Sequence, residues 1–252
     1  MDSSTSGSRE IKVVPDAKAV AAEAADRVTQ AAERAIAERG KFSIALSGGS
    51  TPKALYALLT AEPYRSRIDW SKVHVLFGDE RAVPPDHKDS NYKMADEALL
   101  SKVPIPKDQV HRMKGELGER ADEAAKEYGL MLKAQFPDGL DVVLLGMGGD
   151  GHTASIFPHT PAVAEKEHRV LGYFAENSST GKSWRITMTA PFINQAREVL
   201  VLAAGADKTK RLHEVLEGPR EPERLPIQLI QPANGTLAWI MDVAAAGMDE
   251  AD

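Results

Sequence analysis

"FSIALSGGSTPKALYALL", residues 42–59, decides the fold. Residues 42–46 carry no charge and are too few for a helix, so they read as a strand buried on both faces. Two glycines, a serine and a threonine follow, then Pro52, which suits a first helical turn, and then a run with helical periodicity. A buried strand that passes through a glycine turn straight into a helix is the repeating unit of a parallel sheet covered by helices.

The same grammar recurs in both directions. Residues 11–14 form a first strand, and an alanine-rich helix over 16–38 is closed by Gly40. The strand "VHVLF" at 73–77 delivers a long polar loop, "GDERAVPPDHKDSNY", before a helix near 92–100. Three consecutive charges at 79–81 cannot all enter an apolar core, so they are expected on that loop. A second long helix fits 119–136, and "DVVLLG" at 141–146 is a further buried strand. Later strands are expected at 185–189 and 198–204, a helix between 207 and 216, and a closing strand within "GTLAWIMD". The proline-rich piece at 218–228 reads as a surface loop. The expectation is one α/β domain over 11–252, with a small appended lobe at most, behind a flexible tail at 1–10. In such sheets ligands gather beyond the carboxyl ends of the strands, where the glycine-rich and charged segments here repeatedly fall.

Bulk properties narrow the function classes. The 252 residues include 31 Lys and Arg against 37 Asp and Glu, a net charge of −6 that argues against a general nucleic-acid surface. No cysteine is present, which excludes disulfides, thiolate catalysis and Cys-ligated zinc. The first ten residues hold no apolar signal core, and no apolar run reaches membrane-spanning length, so a cytoplasmic protein with no membrane partner is expected.

Three segments can carry chemistry. In "SGGST", Gly48 and Gly49 let successive N–H groups face a concavity, while Ser50, Thr51 and the helix start add donors and a field that favours an anion. The alternative is an ordinary helix whose Ser or Thr is the N-cap. The segment is neither a Walker A loop nor a dinucleotide fingerprint. In "FGDERAVP", Arg81 is either a fixed cation near an oxygen that gains charge or a partner in a local salt bridge. Asn91, farther on, reads as a cap. The most informative segment is "LLGMGGDGHTASIFP", 144–158, where Asp150 and His152 stand two apart in a glycine-rich turn. An imidazole there suits proton abstraction from water, and a carboxylate can fix its tautomer. Arg185 and Lys208 are either phosphate contacts or surface cations. His111, His159 and His168 show no compact ligand spacing, so no metal is called for.

In this order the segments closely resemble the 6-phosphogluconolactonase family: "ALSGGSTP" at 45–52, "GDERAVP" at 78–84 with "SNY" at 90–92, "LGMGGDGHTASIFP" at 145–158 and "GADK" at 205–208. The likeness runs over nearly the whole chain. It implies a three-layer α/β/α, modified Rossmann-type, mostly parallel sheet, shared with glucosamine-6-phosphate deaminases, ribose-5-phosphate isomerases and CoA transferases. It further implies hydrolysis of 6-phospho-D-glucono-1,5-lactone to 6-phosphogluconate, the second step of the oxidative pentose phosphate pathway. No cofactor or metal is implied, water is the second substrate, and a monomer is favoured. By the same resemblance, His152 is the general base with Asp150 as its orienter. Arg81 stabilises or holds the carbonyl oxygen. Gly48, Gly49, Ser50 and Thr51 hold the 6-phosphate or sugar hydroxyls with Arg185 and Lys208. Two alternatives stand beside it. Glucosamine-6-phosphate deaminases share a similar loop and Asp-Gly-His turn, but carry a glutamate five residues past the histidine, where this chain has Phe157. Sugar-phosphate-sensing domains of transcription regulators share parts of the fold, but usually carry a DNA-binding module for which there is no room before residue 11.

Overall fold

The computed structural model describes residues 7–248. In chain order its principal elements are β1 (Ser8–Val14), α1 (Ala17–Arg39), β2 (Phe42–Leu46), α2 (Ser50–Leu59), α3 (Tyr64–Arg67), β3 (Val73–Phe77), β4 (Asp79–Arg81) and α4 (Asn91–Ala98). There follow α5 (Ala121–Gln135), β5 (Val142–Gly146), α6 (Pro161–Ala164), β6 (Val170–Ala175), β7 (Ser183–Met188), α7 (Ala190–Ile193), β8 (Glu198–Ala203), α8 (Thr209–Glu217) and β9 (Thr236–Asp242).

Six strands form one sheet in the order β1-β9-β8-β5-β2-β3, parallel throughout. Alternation along its strands builds two cores. Ile44, Leu46, Val142, Leu144, Leu200 and Leu202 face α1, α2 and α4. Ala45, Val143, Leu145, Val199 and Val201 face the other way, toward α5 and α8. Both faces are covered, which is why these strands read as near-continuous apolar runs. The helices are set by local chemistry. Asp16 caps α1 by accepting the Ala19 N–H at 2.8 Å, and Gly40, at φ +75°, closes it. Among the described residues no helix is long and apolar enough to cross a membrane.

Three features depart from the sequence reading. The 185–189 strand, extended to β7, joins a separate antiparallel sheet in the order β4-β7-β6. This small sheet shares the second core with α5 and α8. Neither β4 nor β6 was anticipated, for β4 is all charge and β6 is interrupted by Gly172. That glycine is needed because a Cβ there would lie 2.0 Å from the Ala121 carbonyl oxygen at the start of α5. The crossing between sheets is Gly78, whose N–H bonds Leu46 in the large sheet while its carbonyl accepts the Met188 N–H of the small one. Finally, the expected tail at 1–10 overlaps β1. Ser8, Arg9 and Glu10 pair with Thr236, Leu237 and Ala238, and Glu10 meets Arg27 on α1. A polar edge strand held by its ladder and an ion pair leaves no hydrophobic signal to read. Residues 1–6 of that tail lie outside the described residues.

The chain runs outward from β2 to β3 on one side, whereas β5 and β8 lie on the other. The loops leaving β2 and β5 therefore diverge, and a crevice opens between them at the carboxyl edge.

Candidate active site

That crevice is a cavity of about 400 Å³. Its wall takes residues 47–52 after β2, Asp79 and Arg81 of β4, Asn91 of α4, residues 146–148 and His152 after β5, and Lys208 after β8. A larger cavity of about 650 Å³, mostly apolar, lies between β1 and α8. Its two guanidinium groups, Arg9 and Arg220, are spent on backbone carbonyls.

The turn after β2 shapes the floor. Gly49, at φ +105°, is the N-cap of α2 and provides no side-chain capping bond. The expected alternative of a Ser or Thr N-cap is therefore not what forms. Pro52 lacks an N–H, so the first-turn N–H groups of Ser50 and Thr51 are the donors this helix end offers. The turn is clamped from beneath by Tyr56, whose hydroxyl donates to the Ser47 carbonyl at 2.7 Å and accepts the Ser47 N–H at 2.9 Å. Burial pushes this phenol far above its usual range and keeps it neutral.

A carboxylate–imidazole pair stands on the turn after β5. Asp150 Oδ1 meets His152 Nδ1 at 2.5 Å and also accepts the His152 N–H at 3.1 Å. A carboxylate can only accept, so Nδ1 carries the proton and Nε2 is the nitrogen left to accept one. Burial raises the Asp150 carboxyl, but the hydrogen bond and charge of His152 outweigh it and bring it down to about 2, with Ser179 as a further donor. Gly148 makes the arrangement possible. A Cβ there would lie 2.1 Å from both Nδ1 and Cε1 of His152. Arg211 on α8 holds the same turn through the Gly149 carbonyl at 2.8 Å.

The charges of "DER" do not lie on a solvated loop as expected, for Asp79 and Glu80 are buried. Polar partners replace water. Glu80 accepts the N–H groups of Arg81, Asn91 and Tyr92 and the Ser90 hydroxyl at 2.7–3.0 Å. Asp79 accepts the Ser155 hydroxyl at 2.6 Å. Burial still pushes the Glu80 carboxyl upward against its backbone donors. Arg81 is aimed by a 2.6 Å bond from Nη1 to the Asp89 carbonyl, while its Nε is buried with no partner among the described residues.

Of the residues singled out in the sequence, Gly48, Gly49, Ser50, Thr51, Arg81, His152 and Lys208 meet in this cavity. Asp150 stands behind His152. Lys208 sits in a short 3₁₀ turn, Ala206–Lys208, beside exposed Asp207 at 3.3 Å. The buried Asp242 carboxylate fixes the start of that turn by accepting the Gly205 N–H. Arg185 is not on the cavity wall. It is buried, opposite Arg81 in the β4–β7 pairing, with the Phe157 ring 5.6 Å away. Its Nη2 donates to Thr180 Oγ1 at 2.8 Å, and its Nε, like that of Arg81, has no partner among the described residues. Burial lowers its affinity for a proton, Asp79 opposes that, and Arg81 adds to it. Sequence reasoning missed the structural parts played by Asp79, Glu80, Tyr56 and Asn91. Asn91 is not the cap of α4, which is Ser90.

Fold and site together define an α/β protein whose crevice holds a helix N-terminus, an arginine, a lysine and a carboxylate-braced imidazole. Residues 15–239 match the family described as glucosamine-6-phosphate isomerases/6-phosphogluconolactonase, and the chain belongs to that family. The 6-phosphogluconolactonase of Nostoc sp. is 41% identical over 242 residues, spanning 93% of this chain and 96% of the relative. The solved structure of 6-phosphogluconolactonase from Trypanosoma brucei superposes with a TM-score of 0.84 at 31% identity, covering 96% of this chain and 99% of that one. A monomeric glucosamine-6-phosphate deaminase shares the fold alone, with a TM-score of 0.80 at 17% identity over 95% of this chain and all of that one.

Proposed function

We propose that this chain is a 6-phosphogluconolactonase, a carboxylic ester hydrolase that opens 6-phospho-D-glucono-1,5-lactone to 6-phosphogluconate as a single catalytic domain in the cytoplasm. The observation that carries the reading is a base and a set of anion donors in one cavity. His152 is braced by Asp150 at 2.5 Å, on the same wall as the α2 N-terminus, Arg81 and Lys208.

Nε2 of His152 takes a proton from water as its oxygen attacks the lactone carbonyl carbon. The carbonyl π pair moves onto oxygen, and Arg81, on the same cavity wall, faces that charge. The tetrahedral intermediate collapses by breaking the bond to the ring oxygen, which leaves as a hydroxyl by recovering the proton from the imidazolium. The 6-phosphate or ring hydroxyls are held by the turn at 48–51 and Lys208, while Arg185 lies buried behind Arg81. The deaminase chemistry lacks its acid here, because Phe157 is a buried ring 4.4 Å from the His152 ring.

The test is consumption of freshly generated lactone, followed against its spontaneous hydrolysis, with deamination of glucosamine 6-phosphate assayed in parallel. Acceleration of the first and none of the second is expected. Deamination without lactone hydrolysis would overturn the reading.

A further inference from the structure

Asn91 is 5% exposed and lies where three segments of the cavity wall converge. Its backbone N–H donates to Glu80 Oε1 at 2.7 Å. Its side-chain amide donates from Nδ2 to the Asp79 carbonyl at 3.0 Å and to Asp79 Oδ1 at 3.1 Å. Both of those acceptors demand N–H, so the amide cannot turn over, and its oxygen is directed at the glycine turn. A Cβ on Gly48 would lie 2.3 Å from Asn91 Oδ1 and 3.0 Å from Cγ. Gly48 therefore rests directly on the Asn91 amide.

The frame beneath Asn91 is buried and densely hydrogen-bonded. Glu80, 2% exposed, binds residues 90–92 through both oxygens and also accepts the Arg81 N–H. Asp79, whose second oxygen takes the Ser155 hydroxyl, ties the same frame to the segment after His152. Only an amide fits at 91. A carboxylate there would face the Asp79 carboxylate, and a shorter apolar side chain would leave Gly48 unsupported and Asp79 short of a donor.

We propose that Asn91 is a positioning residue that sets the Gly48–Gly49 turn at a fixed distance from the arm carrying Arg81, so that the donors of both reach one phosphorylated ligand. The inference deepens the lactonase reading and rests on it for the identity of that ligand. Misplacement of a ligand-holding loop by about 1 Å can cost about 10²-fold in rate. The loss here falls on a residue that takes no part in proton transfer.

The experiment is a double-mutant cycle on Gly48→Ala and Asn91→Ala, with Asn91→Asp as an equal-sized control. Binding of inorganic phosphate and of 6-phosphogluconate is measured by titration calorimetry, and lactone kinetics alongside. Asn91→Ala and Asn91→Asp should each weaken 6-phosphogluconate binding by about tenfold or more and lower kcat/KM by up to about 10²-fold, with the acid limb of the pH profile unmoved. Gly48→Ala should cost far more with Asn91 present than in the double variant, where its methyl has room. Penalties that simply multiply would overturn the proposal, as would Asn91→Asp binding like the wild type. If the wild type binds phosphate but neither binds 6-phosphogluconate nor hydrolyses the lactone, the lactonase reading fails. The cycle run on phosphate still decides the role of Asn91.

Discussion

The His152 imidazole occupies the space that a side chain at 148 would need, so a single methyl there must move the ring. Gly148→Ala is expected to lower kcat of the lactonase reaction by displacing His152 from Asp150, with little change in KM, and steady-state kinetics on the lactone check it. Asp150 tests a different property. Its carboxyl, held down to about 2 by His152 against burial, stays charged through the neutral range. The carboxylate therefore keeps accepting from Nδ1. Asp150→Asn should lower kcat by about tenfold or more, because an amide can present N–H to Nδ1 and reverse the tautomer. An intact rate would make Asp150 a turn-holding residue only. Arg81→Ala should cost about 2.7–4 kcal/mol in kcat/KM if its contact forms mainly in the transition state. Lost kcat would assign it to the developing charge and raised KM to binding.

At the scale of elements, legibility followed the distribution of apolar residues. β2, β3, β5, β8 and β9 announced themselves because both their faces are buried. β4 could not, since Asp79 and Glu80 are buried by hydrogen bonds supplied from 90–92 and 155, which no local pattern reveals. The site was read in the same measure. His152, Arg81, Lys208 and the glycine turn stood out as chemistry at strand ends, whereas Asn91 read as a cap and nothing in the helical run singled out Tyr56. Tyr56 gives the clearest element-level test. Tyr56→Phe removes the hydroxyl that satisfies both backbone groups of Ser47 at the β2–α2 junction. Leaving buried backbone groups unpaired costs about 1–3 kcal/mol each. Urea unfolding should show a loss of that order, and KM for the lactone should rise because the turn loosens.

For the whole molecule, the large sheet brings together at its carboxyl edge residues that are up to 160 positions apart in sequence, from Gly48 to Lys208. On the flank of the same sheet, at edge strand β3, His74 Nδ1 meets His111 Nε2 at 3.2 Å with the rings nearly coplanar and their centroids 5.5 Å apart, and Phe136 meets both edge-on. Burial lowers both imidazoles, helped at His74 by the Lys41 charge and at His111 by His74, with Asp108 opposing. The unfolded chain therefore binds more protons between the depressed values and the ordinary histidine range. The stability this pair contributes is fully present above that range and is lost as pH falls through it. The urea midpoint should drop between about pH 7.5 and about pH 5.5. The drop should be smaller in a His74→Gln, His111→Gln double variant, and an equal drop would place the acid sensitivity elsewhere.

The central claim is that the cavity at the carboxyl edge hydrolyses a phosphorylated lactone with His152 as the base. The most direct measurement compares the wild type and His152→Ala, both folded by circular dichroism, on freshly generated 6-phosphogluconolactone. The wild type should outpace spontaneous opening, and His152→Ala should lose about 10²–10⁴-fold in kcat/KM while still binding 6-phosphogluconate. A wild type no faster than the spontaneous reaction, or a His152→Ala variant with near-wild-type kcat/KM, would contradict it.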